Sequence, residues 1–267
     1  MGRLHLFEFN DQPWLPKVLR DGLTDYLEYA ERRFGLYRPA IPILKDLLQD
    51  QGHKRIVDLC SGAGGPWLEV LPRLREAGCD VDVLLTDMFP NPNLLDRLPP
   101  EIKEHIAYHP ESVDVRNMPP ELAGVNTMWT ALHHFQPENV RVILADAALR
   151  RAPFAAFEFT RRHPLNIVAM FMAFFMVVLF VPFIRPFRWS RIFCTYTIPI
   201  LPLIVVFDGI VSCLRTYSPA ELTALTTTID CPGYQWKFGE AYAKGLPAPI
   251  LYAIGRPTKA NDNREPS

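Results

Sequence analysis

Three glycines follow an acidic residue at the end of a short apolar run, in the stretch DLCSGAGGPW over residues 58–67. Glycine allows positive φ angles and close approach of the backbone to a ligand, so this spacing fits either a binding loop or a tight strand-to-helix turn. A loop for a nucleoside triphosphate needs a Lys directly after its last glycine, and none follows Gly65. A dinucleotide loop needs a third glycine where this chain has Trp67. The loop alone therefore leaves its ligand open.

Acidic residues on three successive apolar runs narrow the range of ligands that the loop could bind. Asp58 heads the glycine loop, where a carboxylate would repel a pyrophosphate but suits an ammonium group with a cationic sulfonium nearby. Asp87 ends the run VLLTD, from which a carboxylate can accept both hydroxyls of a ribose. Asp114 ends a third run, HIAYHPESVDV, where it would face an adenine and its exocyclic amine. Together these acids predict a site for a nucleoside that carries a sulfonium.

The elements that must position these acids alternate between apolar β-type runs and helical runs from residue 54 to residue 160. Such alternation predicts a parallel, doubly wound sheet, in which small ligands lie beyond the carboxyl ends of the strands. Two helices are predicted before the sheet, ending at Gly35 and Gly52. A helix that starts at Ser218 and Pro219 and two closing strands in a hairpin are predicted after it.

The segments VDLCSGAGG, LLTDM, SVDVRNMP and TALHHF resemble the class I S-adenosylmethionine-dependent methyltransferases of the Rossmann-like, small-molecule type. The resemblance covers residues 54–160 and 216–257. It implies an α/β fold with a doubly wound, mostly parallel seven-stranded sheet, helices on both faces and a final hairpin that makes one strand antiparallel. It also implies S-adenosyl-L-methionine as the cofactor and methyl transfer as the reaction.

The same resemblance implies roles for eight residues. The methionine part of the cofactor would be bordered by Asp58, Ser61, Gly62 and Gly64. The nucleoside would be held by Asp87 at the ribose, Met88 at the adenine face and Asp114 at the adenine amine. Thr130 would lie beside the methyl group. No metal site is expected.

His133 and His134 are the candidates for a general base, because they follow the fourth predicted strand, where the donor methyl group should point. Methyl transfer from a sulfonium is an in-line displacement, so a base is needed only if the acceptor must lose a proton. The resemblance favours the other interpretation, because such a His pair recurs in that family and often orients its loop. The further candidates for the acceptor side are Glu8, Asp11, Trp14, Tyr26, Tyr37 and Glu158.

Residues 163–215 form an apolar insert between the fifth strand and the last helix. Its first run, 165–184, has no charged side chain and reaches the length of about 20 residues that spans a bilayer. Its second run is broken by Pro199 and Pro202, which favours a kinked, interfacial or buried segment.

Three interpretations of the insert stay open. It is a transmembrane or re-entrant hairpin, a monotopic anchor with the arginines of 185–191 among lipid headgroups, or a buried lid or dimer contact. In a buried lid four aromatic side chains would be core: Phe171, Phe174, Phe175 and Phe180. We favour membrane association. An apolar wall beside the site favours a lipophilic acceptor of the lipid, fatty acyl, quinone or isoprenoid type.

Asp208 is the third catalytic candidate, because it is the only charged residue in a long apolar stretch. A carboxylate there either meets a partner such as Arg215 or lines a cavity.

Composition limits the partners. A net charge of −1 over 267 residues gives no basic field for nucleic acid. Five scattered cysteines without a CxxC pair fit reduced thiols better than disulfides or a zinc site. We therefore expect a hydrophobic small-molecule substrate and a membrane surface as partners. The predicted location is the cytoplasmic side of a membrane, peripheral or monotopic, with an integral arrangement and a homodimer left open.

These predictions divide the chain into five parts: an N-terminal helical lid (1–52), a cofactor-binding core (53–162), the apolar insert (163–215), a closing helix and hairpin (216–257) and a disordered tail (258–267). Two rival functions remain. One is a nicotinamide-dependent oxidoreductase, and the other is a membrane-anchored scaffold that binds the cofactor without catalysing a reaction.

Overall fold

The computed structural model describes residues 2–62, 64–242 and 248–258. Apart from Thr258, the predicted tail lies outside these residues. The described chain forms two compact units, one built from Tyr37–Phe159 and Pro219 onward and the other from the N-terminal residues to Leu36 and Thr160–Ser218. The predicted segment 1–52 is thus divided between the units, and its role as a lid stays a prediction.

Nine α-helices occur in the described residues: α1 (Lys17–Phe34), α2 (Ala40–Gln51), α3 (Trp67–Glu76), α4 (Pro100–Lys103), α5 (Pro137–Leu149), α6 (Pro164–Phe180), α7 (Trp189–Tyr196), α8 (Ile200–Arg215) and α9 (Pro219–Thr226). Helices α1 and α2 end where predicted, because Gly35 and Gly52 adopt positive φ angles of 62° and 68° and cap the helices through their N–H groups.

The strands are β1 (Arg55–Leu59), β2 (Asp82–Leu85), β3 (Ile106–Tyr108), β4 (Val125–Trp129), β5 (Phe154–Glu158), β6 (Tyr234–Ala241) and β7 (Ile250–Pro257). Within the described residues they form one seven-stranded sheet in the order β3-β2-β1-β4-β5-β7-β6. Strands β1 to β5 are parallel, and β7 runs antiparallel to both β5 and β6. The predicted fold class is confirmed, with helices on both sides of the sheet.

The third strand is shorter than predicted. It ends at Tyr108 rather than at Asp114, because Pro110 has no N–H group to continue a ladder. The chain then turns back so that the N–H of Val113 donates to the carbonyl oxygen of Asp87, at 3.0 Å. Asp114 therefore lies in a loop and not at a strand end.

The helical unit contains α1, α6, α7, α8 and the N-terminal segment. Its core is a cluster of buried side chains: Leu15, Leu23, Tyr26, Val177, Val181, Ile184, Leu201, Ile204 and Val205. Helix α6 packs against α8 at Gly209, where an added Cβ would lie 2.8 Å from Sδ of Met170. Of the 17 residues of α6, all of them described, only Val177 is buried.

Candidate cofactor site

The glycine loop joins β1 to α3, and its three glycines, Gly62, Gly64 and Gly65, all have positive φ angles. Gly62 and Gly64 have φ angles of 49° and 106°, which side chains with a Cβ rarely adopt. A Cβ on Gly64 would also lie 2.7 Å from Cδ2 of Leu94. At Gly62, by contrast, a Cβ would meet open space, so the backbone there is accessible to a ligand.

Asp58 is a buried carboxylate at the head of this loop. Its Oδ1 accepts a hydrogen bond of 2.6 Å from the hydroxyl of Thr127 on β4. Its Oδ2 is buried. Burial raises the pKa of Asp58 to about 6 against the hydrogen bonds from the side chains of Thr127, Trp67 and Ser61, and the charge of Asp87 raises it further. A cation such as an ammonium beside this carboxylate would favour its charged form.

Asp87 is held rigidly beside the loop. Its Oδ2 accepts the N–H of Gly62 at 2.9 Å, and its Oδ1 accepts the N–H of Phe89 at 2.8 Å. A carboxylate oxygen can accept more than one hydrogen bond, so both remain able to receive hydroxyl groups. This geometry fits the predicted ribose-binding role of a carboxylate that is half-buried and fixed in orientation.

The structure brings the three predicted acids to one place. Burial raises the pKa of the Cys60 thiol, and the carboxylates of Asp87, Asp58 and Asp114 all raise it further. Cys60 itself has a positive φ angle of 56°, which is uncommon for a residue with a side chain. The three carboxylates therefore lie near enough to the first residue of the loop to act on its thiol.

Asp114 has a partner that the sequence interpretation missed. The guanidinium of Arg116 donates to both carboxylate oxygens at 2.6–3.1 Å, and its hydrogen bonds hold the pKa of Asp114 below the usual range. Any adenine amine would share this carboxylate with Arg116. Met88 and its neighbour Phe89 are both exposed, and Phe89 is a second apolar candidate for the adenine face. The sequence could have indicated Phe89 as well, because it directly follows Met88.

Thr130 follows β4 directly and adopts a positive φ angle of 46°, a strained conformation for a β-branched residue. Its N–H donates to the carbonyl oxygen of Phe157 at 2.7 Å, and its hydroxyl forms a hydrogen bond with the hydroxyl of Tyr37. Tyr37 is buried and packs edge-to-face on Trp129, with ring centroids 5.0 Å apart. These contacts fix the threonine at the carboxyl end of β4.

The two histidines follow Thr130 in a short 3₁₀ turn. His133 is buried, and its Nδ1 lies 2.7 Å from Oε2 of Glu158 at the end of β5. The other oxygen of Glu158 accepts the N–H of His133 at 3.2 Å. One carboxylate therefore holds both the backbone and the ring, which sets the orientation of the imidazole. The ring of His134 lies 4.2 Å from that of His133.

No family model matches the sequence, and no curated protein matches it significantly. Solved structures do match. The plantazolicin methyltransferase BpumL in complex with SAH has a TM-score of 0.55 and 11% identity, covering 94% of this chain and 93% of that chain. The complex of BpumL with a monoazolic desmethylPZN analog and SAH has a TM-score of 0.56 and 11% identity, and the match covers 90% of each chain. The citrinin polyketide synthase CMeT domain has a TM-score of 0.51 and 12% identity, and the match covers 85% of this chain and 55% of that chain.

The chain has the fold of the class I methyltransferases. In this methyltransferase fold the predicted cofactor residues follow the carboxyl ends of neighbouring strands: Asp58 and the glycines belong to β1 and its loop, Asp87 follows β2, and Thr130 follows β4. Strands β1 and β4 flank the point where the winding of the sheet reverses, which is where such sheets bind ligands.

Asp208 belongs to the helical unit and has structural partners there. Its two oxygens accept the N–H groups of Phe9 and Asn10 at 2.8 and 3.0 Å. Arg215, its predicted partner, instead contacts Glu8 at 3.1 Å and Asp11 at 2.7 Å. These bonds account for the burial of Asp208 without a ligand, and a catalytic role for it stays a prediction.

Proposed function

We propose that the protein is a methyltransferase that uses S-adenosyl-L-methionine as the methyl donor. The observation that carries this proposal is the juxtaposition of Asp58, a buried carboxylate at the head of the glycine loop, and Asp87, fixed against Gly62. An amino-acid ammonium suits the first carboxylate and ribose hydroxyls suit the second. The SAH in the neighbours' complexes supports the same choice of cofactor.

The bound cofactor would supply a methyl group on a sulfonium that is already activated for transfer. The residues of the chain then have to bind, align and exclude water rather than generate a nucleophile. Asp58 and the loop would orient the amino-acid end, Asp87 the ribose, and the fixed Thr130 the region beside the methyl group. His133, oriented by Glu158, would accept a proton where the acceptor must lose one.

The proposed acceptor is a lipophilic small molecule of the lipid, fatty acyl, quinone or isoprenoid type, met at a membrane surface. Among the described residues, one helix, Pro164–Phe183, is long and apolar enough to cross a membrane, and α7 and α8 pass the same test only as a pair bent by 77°. A single helix of this kind gives modest support for membrane association. The aromatic side chains of this helix add to that support, because a buried lid would place Phe171 and Phe175 in a core and both are exposed.

The rival functions have less support. An oxidoreductase would place a dinucleotide pyrophosphate beside the buried carboxylate of Asp58, which would repel it once ionised. The comparisons add nothing in favour of that alternative. A silent scaffold would bind the cofactor and transfer no methyl group.

Titration calorimetry with S-adenosylhomocysteine tests the cofactor site. Asp87→Ala removes the acceptor for two hydroxyl bonds to a charged group, each worth about 1.5 kcal/mol or more, so affinity should fall on the order of 100-fold. Asp80→Ala is the matched control, because Asp80 is exposed before β2 and pairs with Arg75 at the surface. Equal affinities of the Asp87→Ala variant and the parent protein would refute the assignment.

Incubation with methyl-labelled S-adenosyl-L-methionine and a fractionated lipid extract, followed by mass spectrometry, tests the reaction. Label in a lipid fraction supports the proposed acceptor class. Tight cofactor binding without label in any fraction supports the scaffold instead.

A further inference from the structure

Helix α6 exposes apolar side chains along nearly its whole length. The exposed set is Leu165, Val168, Phe171, Met172, Phe175 and Leu179. The 20-residue span from Pro164 to Phe183 has a mean hydropathy of 2.5, and only 11% of its most apolar window is buried. A protein partner would cover one stripe of such a helix and leave the other apolar residues in water. Hydrocarbon would cover every side that α8 leaves exposed.

The apolar surface continues into the link and α7. Phe183, Phe187, Trp189 and Phe193 are all exposed, and the Trp189 ring, with 78% of its residue surface accessible, meets Phe187 edge-to-face at 5.2 Å. Exposed tryptophan at the end of an apolar helix is typical of the boundary between lipid headgroups and acyl chains. We refer to the exposed residues of α6 together with these four as the insertion face.

The arginines of the link are not available as a basic patch, which corrects the expectation that 185–191 would lie among lipid headgroups. Arg191 is buried, forms an ion pair with Asp25 and donates to the carbonyl oxygens of Ile184 and Pro186 at 2.8 Å. Arg188 pairs with Asp21 at 2.9 Å. Attraction to anionic lipid needs several cations near the surface. Of the three arginines of this described link, Arg185 alone is exposed.

We propose that the insertion face enters the apolar region of an electrically neutral, zwitterionic lipid surface, and that burial of apolar side chains holds it there without a basic patch. This inference rests on the membrane association proposed above and names its partner and its driving force. The charge distribution argues against a requirement for anionic lipid, because Arg188 and Arg191 already form ion pairs with the carboxylates of Asp21 and Asp25.

Vesicle flotation of the full-length protein tests the inference, using phosphatidylcholine vesicles and phosphatidylcholine vesicles enriched in phosphatidylglycerol, each at low and high salt. We expect binding to both vesicle types with no loss at high salt, since hydrophobic insertion is not screened. Trp189→Ser should weaken binding about tenfold, the effect of removing one large buried apolar side chain. Tyr242→Ser is the matched control, because Tyr242 is equally exposed but lies in the sheet unit.

Two outcomes would overturn the inference in distinguishable ways. Binding only to phosphatidylglycerol vesicles, lost at high salt, would leave membrane association standing and refute the neutral-lipid mechanism. No binding to either vesicle type would refute membrane association as well. Calorimetry with S-adenosylhomocysteine on the same preparation reports separately on the cofactor site, so a failure of the methyltransferase proposal would not be confused with either result.

Discussion

Replacing Asp58 with Asn should raise the stability relative to the parent as the pH rises, while it weakens cofactor binding. Burial raises the pKa of this carboxyl from its ordinary value of 3.8 to about 6. The folded chain therefore holds a proton more tightly at Asp58 than the unfolded chain does. Between about pH 4 and pH 6 the folded state binds more protons, so the contribution of Asp58 to stability falls as the pH rises through this range and stays constant above it.

The size of the effect follows from the same two values. Moving a carboxyl pKa from 3.8 to about 6 corresponds to about 3 kcal/mol of destabilisation at neutral pH. Asn is close in shape and keeps an oxygen for the hydroxyl of Thr127, but it replaces the other oxygen with an N–H₂ group, whose cost does not vary with pH. Relative to the parent, the free energy of unfolding of Asp58→Asn should therefore rise by up to about 3 kcal/mol between pH 4 and pH 8.

Urea denaturation at pH 4 and pH 8 measures the stability, and calorimetry with S-adenosylhomocysteine at pH 8 measures the affinity. A neutral amide cannot pair with the ligand ammonium, so the affinity should fall at least tenfold. Asp80→Asn, at an exposed position, should change neither quantity. A stability difference between variant and parent that is the same at pH 4 and pH 8 would refute the buried-charge argument. Unchanged affinity would refute the ammonium contact.

Two further predictions concern buried pairs. Asp25→Asn leaves the guanidinium of Arg191 buried without its charged partner, so the free energy of unfolding should fall by about 3–5 kcal/mol in urea denaturation, and a loss below about 1 kcal/mol would contradict this. Glu158→Gln turns an amide N–H₂ toward one of the two donors of His133, which should lower the free energy of unfolding by about 2 kcal/mol. The affinity for S-adenosylhomocysteine should stay unchanged, and a large loss of it would show that this carboxylate acts on the cofactor.

The sheet and the loop were predictable because their signals are local. Each buried parallel strand is a short apolar run, and the stops at Gly35 and Gly52 depend only on residues within one helical turn. The acids at Asp58 and Asp87 were predictable for the same reason, since parallel strands carry their carboxyl ends to one edge. The contact between His133 and Glu158 follows from the pairing of β4 with β5, which the alternating pattern also implies.

The errors arose where partners are distant or turns interrupt a run. Asp25 and Arg191 are 166 residues apart, so nothing near either residue indicates that the arginine of the link is buried and paired. Asp114 was placed on a strand because its flanking valines continue a β-type pattern, although Pro110 ends the ladder before them. The exposure of Phe171 and Phe175 could not be deduced either, because a buried helix and a lipid-facing helix have the same composition.

The buried charges of the two units differ in how their burial is compensated. In the helical unit, Asp208 receives two backbone N–H groups and Arg215 meets Glu8 and Asp11, so these charges hold the N-terminal segment to α8 and need no ligand. At the carboxyl edge of the sheet, burial raises the pKa of Asp58 to about 6, and Thr130 keeps a strained backbone. Such costs persist where the surrounding structure enforces them, and they concentrate at ligand sites. The carboxyl edge of the sheet is therefore a better candidate for the reaction site than Asp208 is.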